Sequence, residues 1–258
     1  TGGALGTGGG FNATIHWDPV VRATVAQNVS VTSELDTRIR AFNNYNDPAD
    51  VFVITGLDAD TRGNGAGGFG GREAKSVINL DPKVDAVIDL GSSLTVGGNF
   101  LVEAQSVSDA DAEAFAKFAG ASGKAGSTIE VNAGGSTNSL TAQAANPMSG
   151  VTLDVSGDVK IAATSVLDIF GRSRAETDAA FATAPPNATI NLLSRQTVAR
   201  VGAYTTIIAP NGQVEVLADS SKNINVSTTG FGRFFGSKVL TGSASGARST
   251  QSPGIQPA

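Results

Sequence analysis

His16 and Trp17, neighbours in the phrase ATIHW, are the only histidine and the only tryptophan of the chain. Such a pair could stack a sugar ring and move a proton. A serine-type triad would need a Ser and an Asp as well, and no G-x-S-x-G turn is present to carry the nucleophile. The spacing gives His16 no second catalytic partner, so the plainer reading is an outward His16 and an inward Trp17 on the first strand. Carboxylates recur in NLDPKVDAVIDL, as Asp81, Asp85 and Asp89, and in GLDAD, as Asp58 and Asp60. A glycosidase would hold two of them roughly 5–9.5 Å apart. These acids, however, alternate with Val, Ile or Ala, or flank turns, as on a solvated strand face. Asp58–Asp60 and the DADAE run at 109–113 make calcium the one cofactor candidate, without the D-x-D-x-D-G loop that would build its cage. The Gly-rich TRGNGAGGFGGRE (61–73) follows a plausible strand, but no helix or G-K-[ST] follows it, so it reads as a flexible insertion. No catalytic, cofactor-binding or metal site is expected, and the chain does not read as an enzyme.

The bulk composition points the same way. Of 258 residues 40% are hydrophobic, enough for a core, yet only 6% are aromatic and 16% charged, while 32 are glycine. Average usage is nearer a quarter charged. Small and β-branched residues fill the deficit, which suits thin, tightly wound layers. A net charge of −5 disfavours nucleic acid and polybasic membrane binding. Absent cysteines remove disulfides and thiolate chemistry. No apolar run approaches the roughly 18 residues of a spanning helix, and no membrane insertion is expected. Four N-x-[ST] sequons stand at Asn12, Asn28, Asn187 and Asn225. Residues 1–12 read as a linker-like end and 241–258 as a flexible tail, around a single repeat-built body at 13–240. The chain is therefore expected to be a piece of a longer polypeptide.

The elements that must position these residues show themselves by repetition. LTVGGNFLVEAQSVSD (94–109) is echoed by LDVSGDVKIAATSVLD (153–168), with seven identities. Weaker copies lie at 24–41 and 213–228, and a short phrase precedes each: ATIHW, AVIDL, STIEV and ATINL, centred on Ile15, Ile88, Ile129 and Ile190. A unit that must stack on copies of itself to bury its face is the hallmark of a solenoid. Within the units apolar residues alternate with polar ones: Leu94, Val96, Phe100, Val102 and on to Phe118; Val155, Val159, Ile161 and on to Ile169; Val25, Val31, Leu35, Ile39. Period two means strands with one buried face. The phases outlast an ordinary strand, so bends at small residues are expected where Val and Ile give way to Ala and Ser. A helix at 109–121 is the competing reading of DADAEAFAKFAGA, and a helical turn that of 173–186. Loops are expected at 43–50, 61–73, 133–139 and 183–189. Gln27-Asn28, Gly98-Asn99, Gly157-Asp158 and Asn211-Gly212 are the expected corners, with residues that tolerate left-handed backbone. The fold class is all-β, a β-solenoid or parallel β-helix with loop insertions, with a β-sandwich as alternative. Two or three coils per unit would make a rod of roughly 40–60 Å. Val96, Phe100, Val102, Val155, Val159 and Ile161 form its expected structural core.

The phrases TVGGNFLVEAQSVSDADAEAFAK and DVSGDVKIAATSVLD resemble the repeats of large bacterial leukotoxin-type filamentous adhesins and related haemagglutinin-like β-helix exoproteins. About half the chain carries the pattern, and nothing in it is catalytic. The resemblance implies an extracellular or cell-surface segment of a stalk, fibre or filamentous adhesin. Partners would be copies of itself or flanking repeats, with host or cell-surface glycans as a further candidate. Phe231, Phe234 and Phe235, in GFGRFFGSKV, are the candidate self-association cluster. The competing class is a carbohydrate-active or carbohydrate-binding β-helix such as a phage tail fibre or spike.

Overall fold

The computed structural model describes residues 6–44, 56–134, 139–143, 150–192, 196–234, 237–244 and 248–251. The chain winds through four turns, and among the described residues every regular element is a strand. The first turn holds β1 (Gly6–Thr7), β2 (Gly10–Trp17), β3 (Val20–Val25), β4 (Ser30–Ser33) and β5 (Thr37–Asn43). It is completed by the outgoing part of β6 (Leu57–Leu80), whose returning part opens the second turn, followed by β7 (Lys83–Ile88), β8 (Ser93–Val96) and the outgoing part of β9 (Phe100–Ala133). The returning part of β9 opens the third turn, followed by β10 (Ser139–Gln143), β11 (Thr152–Val155) and β12 (Val159–Thr183). The last holds β13 (Pro186–Leu192), β14 (Gln196–Arg200), β15 (Thr206–Ile208) and β16 (Val214–Phe234), followed by β17 (Ser237–Ala244) and β18 (Arg248–Gln251). Paired strands thus occur inside both stretches read as linkers.

Stacking is parallel and in register. β3, β7, β10 and β14 form one sheet, β4, β8, β11 and β15 a second, and the long strands a third. This is a parallel β-solenoid. The echoed sentence is its period: Leu94 pairs with Leu153 and Val96 with Val155, and the same 59-residue offset runs without insertion to Ala133 and Leu192. The short phrases align differently. Ile15, Ile78, Val131 and Ile190 share one column, whereas Ile88 pairs with Val25 in another sheet and Ile129 stands two residues aside. A five-residue phrase of β-branched residues fits any inward column, which is why it misaligned.

Burial follows the alternation. Every second residue from Phe100 to Phe118 is buried, as are Val155, Val159, Ile161 and Ile169. Leu35 is the exception: it sits in a corner between β4 and β5 and is 76% exposed. Residues 109–121 and most of 173–186 are strand rather than helix. An isolated Ala-rich segment favours helix, but here Ala110 to Gly120 have strand partners in both adjacent turns, and Ser173 to Glu176 likewise.

The apolar interior has two parts. The first core lies inside the prism formed by the three sheets and includes Val84, Leu94, Phe100, Val102, Leu153 and Ile161. The second contains Ala112, Ala116 and Phe118 together with Ala125, Ile129 and Val131 of the same strand. For one strand to line both sides of a core it must fold back on itself. Hydrogen bonds across the fold confirm it: Ser76 Oγ donates to Thr61 Oγ1 at 2.8 Å, and Ser127 and Ser173 hydroxyls lie 2.8 Å apart. Each long strand therefore runs out along a flat arm, rounds an arc near 63–71, 119–126 or 179–185, and returns. Ala and Ser line the narrow arm; they do not mark a corner. The corner is the glycine arc, and TRGNGAGGFGGRE is not a loop. It lies within β6, paired with β9 from Thr61–Ala114 to Glu73–Gly126. Likewise 183–189 is broken only at Ala184 and Pro185.

Each sequence unit is one large turn, not two or three. Four rungs about 4.8 Å apart span roughly 15 Å along the axis, while the outgoing leg from Phe100 to Phe118 reaches roughly 60 Å at 3.3 Å per residue. The molecule is a broad, thin stack rather than a rod.

Candidate functional site

The residues expected to form the structural core all lie in the first core: Val96 and Phe100 are 1% exposed, and Val102, Val155, Val159 and Ile161 are 0%. Val102 is stacked between Ile39 and Ile161 in adjacent rungs. Of the expected self-association cluster, Phe231 is half-buried in β16, Phe234 is its last residue, and Phe235 lies outside the described residues. The Arg174 guanidinium lies 5.9 Å from the Phe231 ring and 5.5 Å from that of Phe115.

His16 points outward and Trp17 packs against the second core. The histidine heads an amide ladder along one column of the returning leg. Its Nδ1 lies 3.2 Å from Asn79 Nδ2; Asn132 donates to Asn79 at 2.8 Å, and Asn191 donates to Asn132 at 2.7 Å. A planar amide has a donor and an acceptor, so each can bond the copy above and the copy below. That ladder escaped the sequence reading because it needs the register, although the Asn of ATINL and the His of ATIHW hold the same place in the phrase.

A second ladder closes the corner before the outgoing leg. Asp36 Oδ1 accepts the Asn99 N–H at 2.7 Å, Asn99 Oδ1 that of Asp158 at 2.9 Å, and Asp158 Oδ1 that of Gln213 at 2.8 Å. The expected left-handed corners resolve into two kinds. Asn28 (φ 59°) is left-handed, as are Gly91 (φ 68°) and Tyr204 (φ 58°) at the corner after the prism's first sheet. Gly98, Gly157 and Gly212 are not. They are needed because successive turns touch there: a β-carbon on Gly212 would overlap the Gly157 carbonyl.

The acids also stack. Asp58 pairs with Asp111, Asp60 with Glu113, and Asp109 with Asp168. Burial raises the Asp111 pKa first, and Asp109, Asp58, Asp168 and Glu113 raise it further. Burial, then Asp168, raises that of Asp109. Burial likewise raises Asp85 despite Lys83 and Arg22 nearby. Among the described residues no group of three or more His, Asp or Glu is placed to hold a metal ion. Raised carboxylate pKa values mean that the folded state binds more protons than the unfolded one just above the ordinary carboxylate range. Stability therefore falls as pH rises through the folded value and is regained below the unfolded one. Asp111→Asn should accordingly raise the neutral-pH Tm by about 1–2 °C, since like charges facing across strands cost a few tenths of a kcal/mol. Differential scanning calorimetry at neutral and acidic pH checks this, and a lowered Tm would show the carboxylate to be stabilising.

Exposed large apolar residues concentrate at the two ends of the stack. Among the described residues three (Phe11, Val20, Leu35) lie on the first turn, and five (Leu192, Tyr204, Ile208, Val214, Leu217) at the last strands; of these residues only Phe69 and Phe181 lie elsewhere. Those two flank Ser122 in one column at the tip of the arm and line a shallow groove with Lys124 and Thr183. The four sequon asparagines are all exposed. The surface thus offers ladders along its sides and open strand edges at its ends. No protein-family model, no curated protein and no solved structure matches the chain.

Proposed function

We propose that the protein is a structural segment of an extracellular bacterial surface fibre, stalk or filamentous adhesin, of the kind whose repeats it resembles. One observation carries this reading: the 59-residue register that runs unbroken from Leu94 and Leu153 to Ala133 and Leu192. Selection for a site would fix a few positions in one copy. A register held without a break across residues 94–133 and 153–192 instead fixes the spacing of one layer upon the next, which is what an extending stack needs. Ion pairs between adjacent rungs, such as Arg40–Glu103 at 3.3 Å and Lys160–Glu215 at 3.2 Å, serve the same end. The reading gives no residue a catalytic step. Immunogold electron microscopy of the producing cells tests it: label is expected on material projecting from the cell surface, and label confined to the cytoplasm would exclude it. The Phe69 and Phe181 rings, 57% and 51% exposed, favour a second reading, in which the arm tip stacks against the apolar face of a glycan. A glycan array compared with Phe69→Ala decides it; equal binding, or none by either protein, removes that reading.

A further inference from the structure

A stack four rungs tall makes a fibre only if its end faces are covered. We infer that the open face of the last turn takes the first turn of a second copy of this chain, in register, extending the internal ladders. This rests on the structural reading above.

Three observations select that occupant. The first is continuity. Among the described residues, β2, β3, β4 and β5 on the first turn each pair with one neighbour only, and on the last strands so do β13, β14 and β15. All seven edges are parallel-sheet edges, and inside the molecule such an edge is always met by the next turn. The second is matching columns. ATINL of β13 and ATIHW of β2 share a column through β6 and β9, so a docked copy would set Ile15 upon Ile190 and His16 upon Asn191. His16 would then meet the amide below it as it meets Asn79 above. At the corner, Gln213 would meet the Asp36 N–H as Asp158 meets that of Gln213.

The third is charge. Arg38, Leu101, Lys160 and Glu215 occupy one outward column. Docking places Arg38 of the second copy on Glu215, giving Lys160, Glu215 and Arg38 in alternating sign. Both residues are exposed, and Arg38 has no ion pair among the described residues. The strands β17 and β18 pair antiparallel with residues 220–234 of β16, on the edge that the outgoing leg of the second copy would take. This strap blunts an otherwise open edge. It must peel away as copies dock, so association should be concentration-dependent rather than irreversible.

Sedimentation velocity of the full chain over a wide concentration range tests this with Arg38→Glu and Glu215→Arg. The native chain should form species that lengthen with concentration. Each variant alone should associate about tenfold more weakly, because like charges then face each other. Mixing the two variants should restore association, since every junction then pairs Glu with Arg. Circular dichroism controls for folding. A native chain that stays monomeric throughout, variants that associate as the native chain does, or a mixture no better than its components would each overturn the docking. A monomer whose immunogold label still lies on surface fibres would overturn the docking alone, leaving the structural reading intact.

Discussion

Ile161→Asp should abolish the cooperative thermal transition of the protein, whereas Lys160→Asp, one residue away, should shift it by no more than a few degrees. Ile161 is fully buried in the first core, paired with Val102 on one side and Val216 on the other. Its partners in both adjacent rungs are valines, and among the described residues no Lys, Arg or His is buried, so a carboxylate there finds no cation. Two costs add. Truncating a buried Ile removes about 2–5 kcal/mol of packing, and an unpaired buried charge costs several kcal/mol more even after relaxation. Together they match the whole stability of an ordinary domain, about 5–15 kcal/mol. Loss is amplified by stacking, because a rung that opens exposes the faces of both neighbours. Lys160 points outward, and its pair with Glu215 is a surface one, worth about 0–1 kcal/mol. Ile161→Val keeps the shape and should cost only about 0.5–1.5 kcal/mol. Differential scanning fluorimetry with near-ultraviolet circular dichroism reads all three. An Ile161→Asp protein that melts with the native transition would place this side chain outside the core.

That parity was legible in the sequence because a strand's period of two survives whatever the strand does next. The stacking of the second and third turns was legible for a narrower reason: from Ser93 and Thr152 to Ala133 and Leu192 no residue is inserted, so 94–109 and 153–168 stayed aligned. The first turn was harder to see because β5 and β6, both paired with β9, are separated by residues 44–56, whereas the matching positions of β9 are separated by only 107–109. The arm was not legible at all. Alternation says which face of a strand is covered, not whether the cover is another sheet or the same strand returning, and Ala110 to Ala116 would read alike in both cases. TRGNGAGGFGGRE was misread for a related reason. Its composition is that of a loop, but composition measures local preference, and here strand pairing is imposed by β9. The amide ladder from His16 to Asn191 depends on register alone, so no single phrase could reveal it.

The arcs supply the other large effect. Gly120→Ala should cost about 3 kcal/mol or more, lowering Tm by roughly 6–12 °C for a chain of this size, while Gly10→Ala should be neutral or slightly stabilising. The two substitutions add the same methyl group. At Gly10 a β-carbon meets nothing within 4 Å, and it restricts the unfolded chain, which alone stabilises by up to about 1 kcal/mol. At Gly120 it would overlap the carbonyl oxygen of Gly67, its partner in the adjacent turn, and lie 3.0 Å from the Phe118 ring. A flexible side chain could move away; a backbone carbonyl held in a ladder cannot move without its own rung, and Phe118 is fully buried. Gly123 is placed alike, with the Gly70 carbonyl 2.6 Å from an added β-carbon. The constraint acts between turns, so the glycines of one arc require those of the next, and 63–71 and 119–126 are glycine-rich together. Thermal melts of the Gly10→Ala, Gly120→Ala and Gly123→Ala proteins separate the two cases. If all three melted alike, the arcs would be loops after all, free to yield, and the returning leg would lose the anchor that brings Ile129 and Val131 onto the second core.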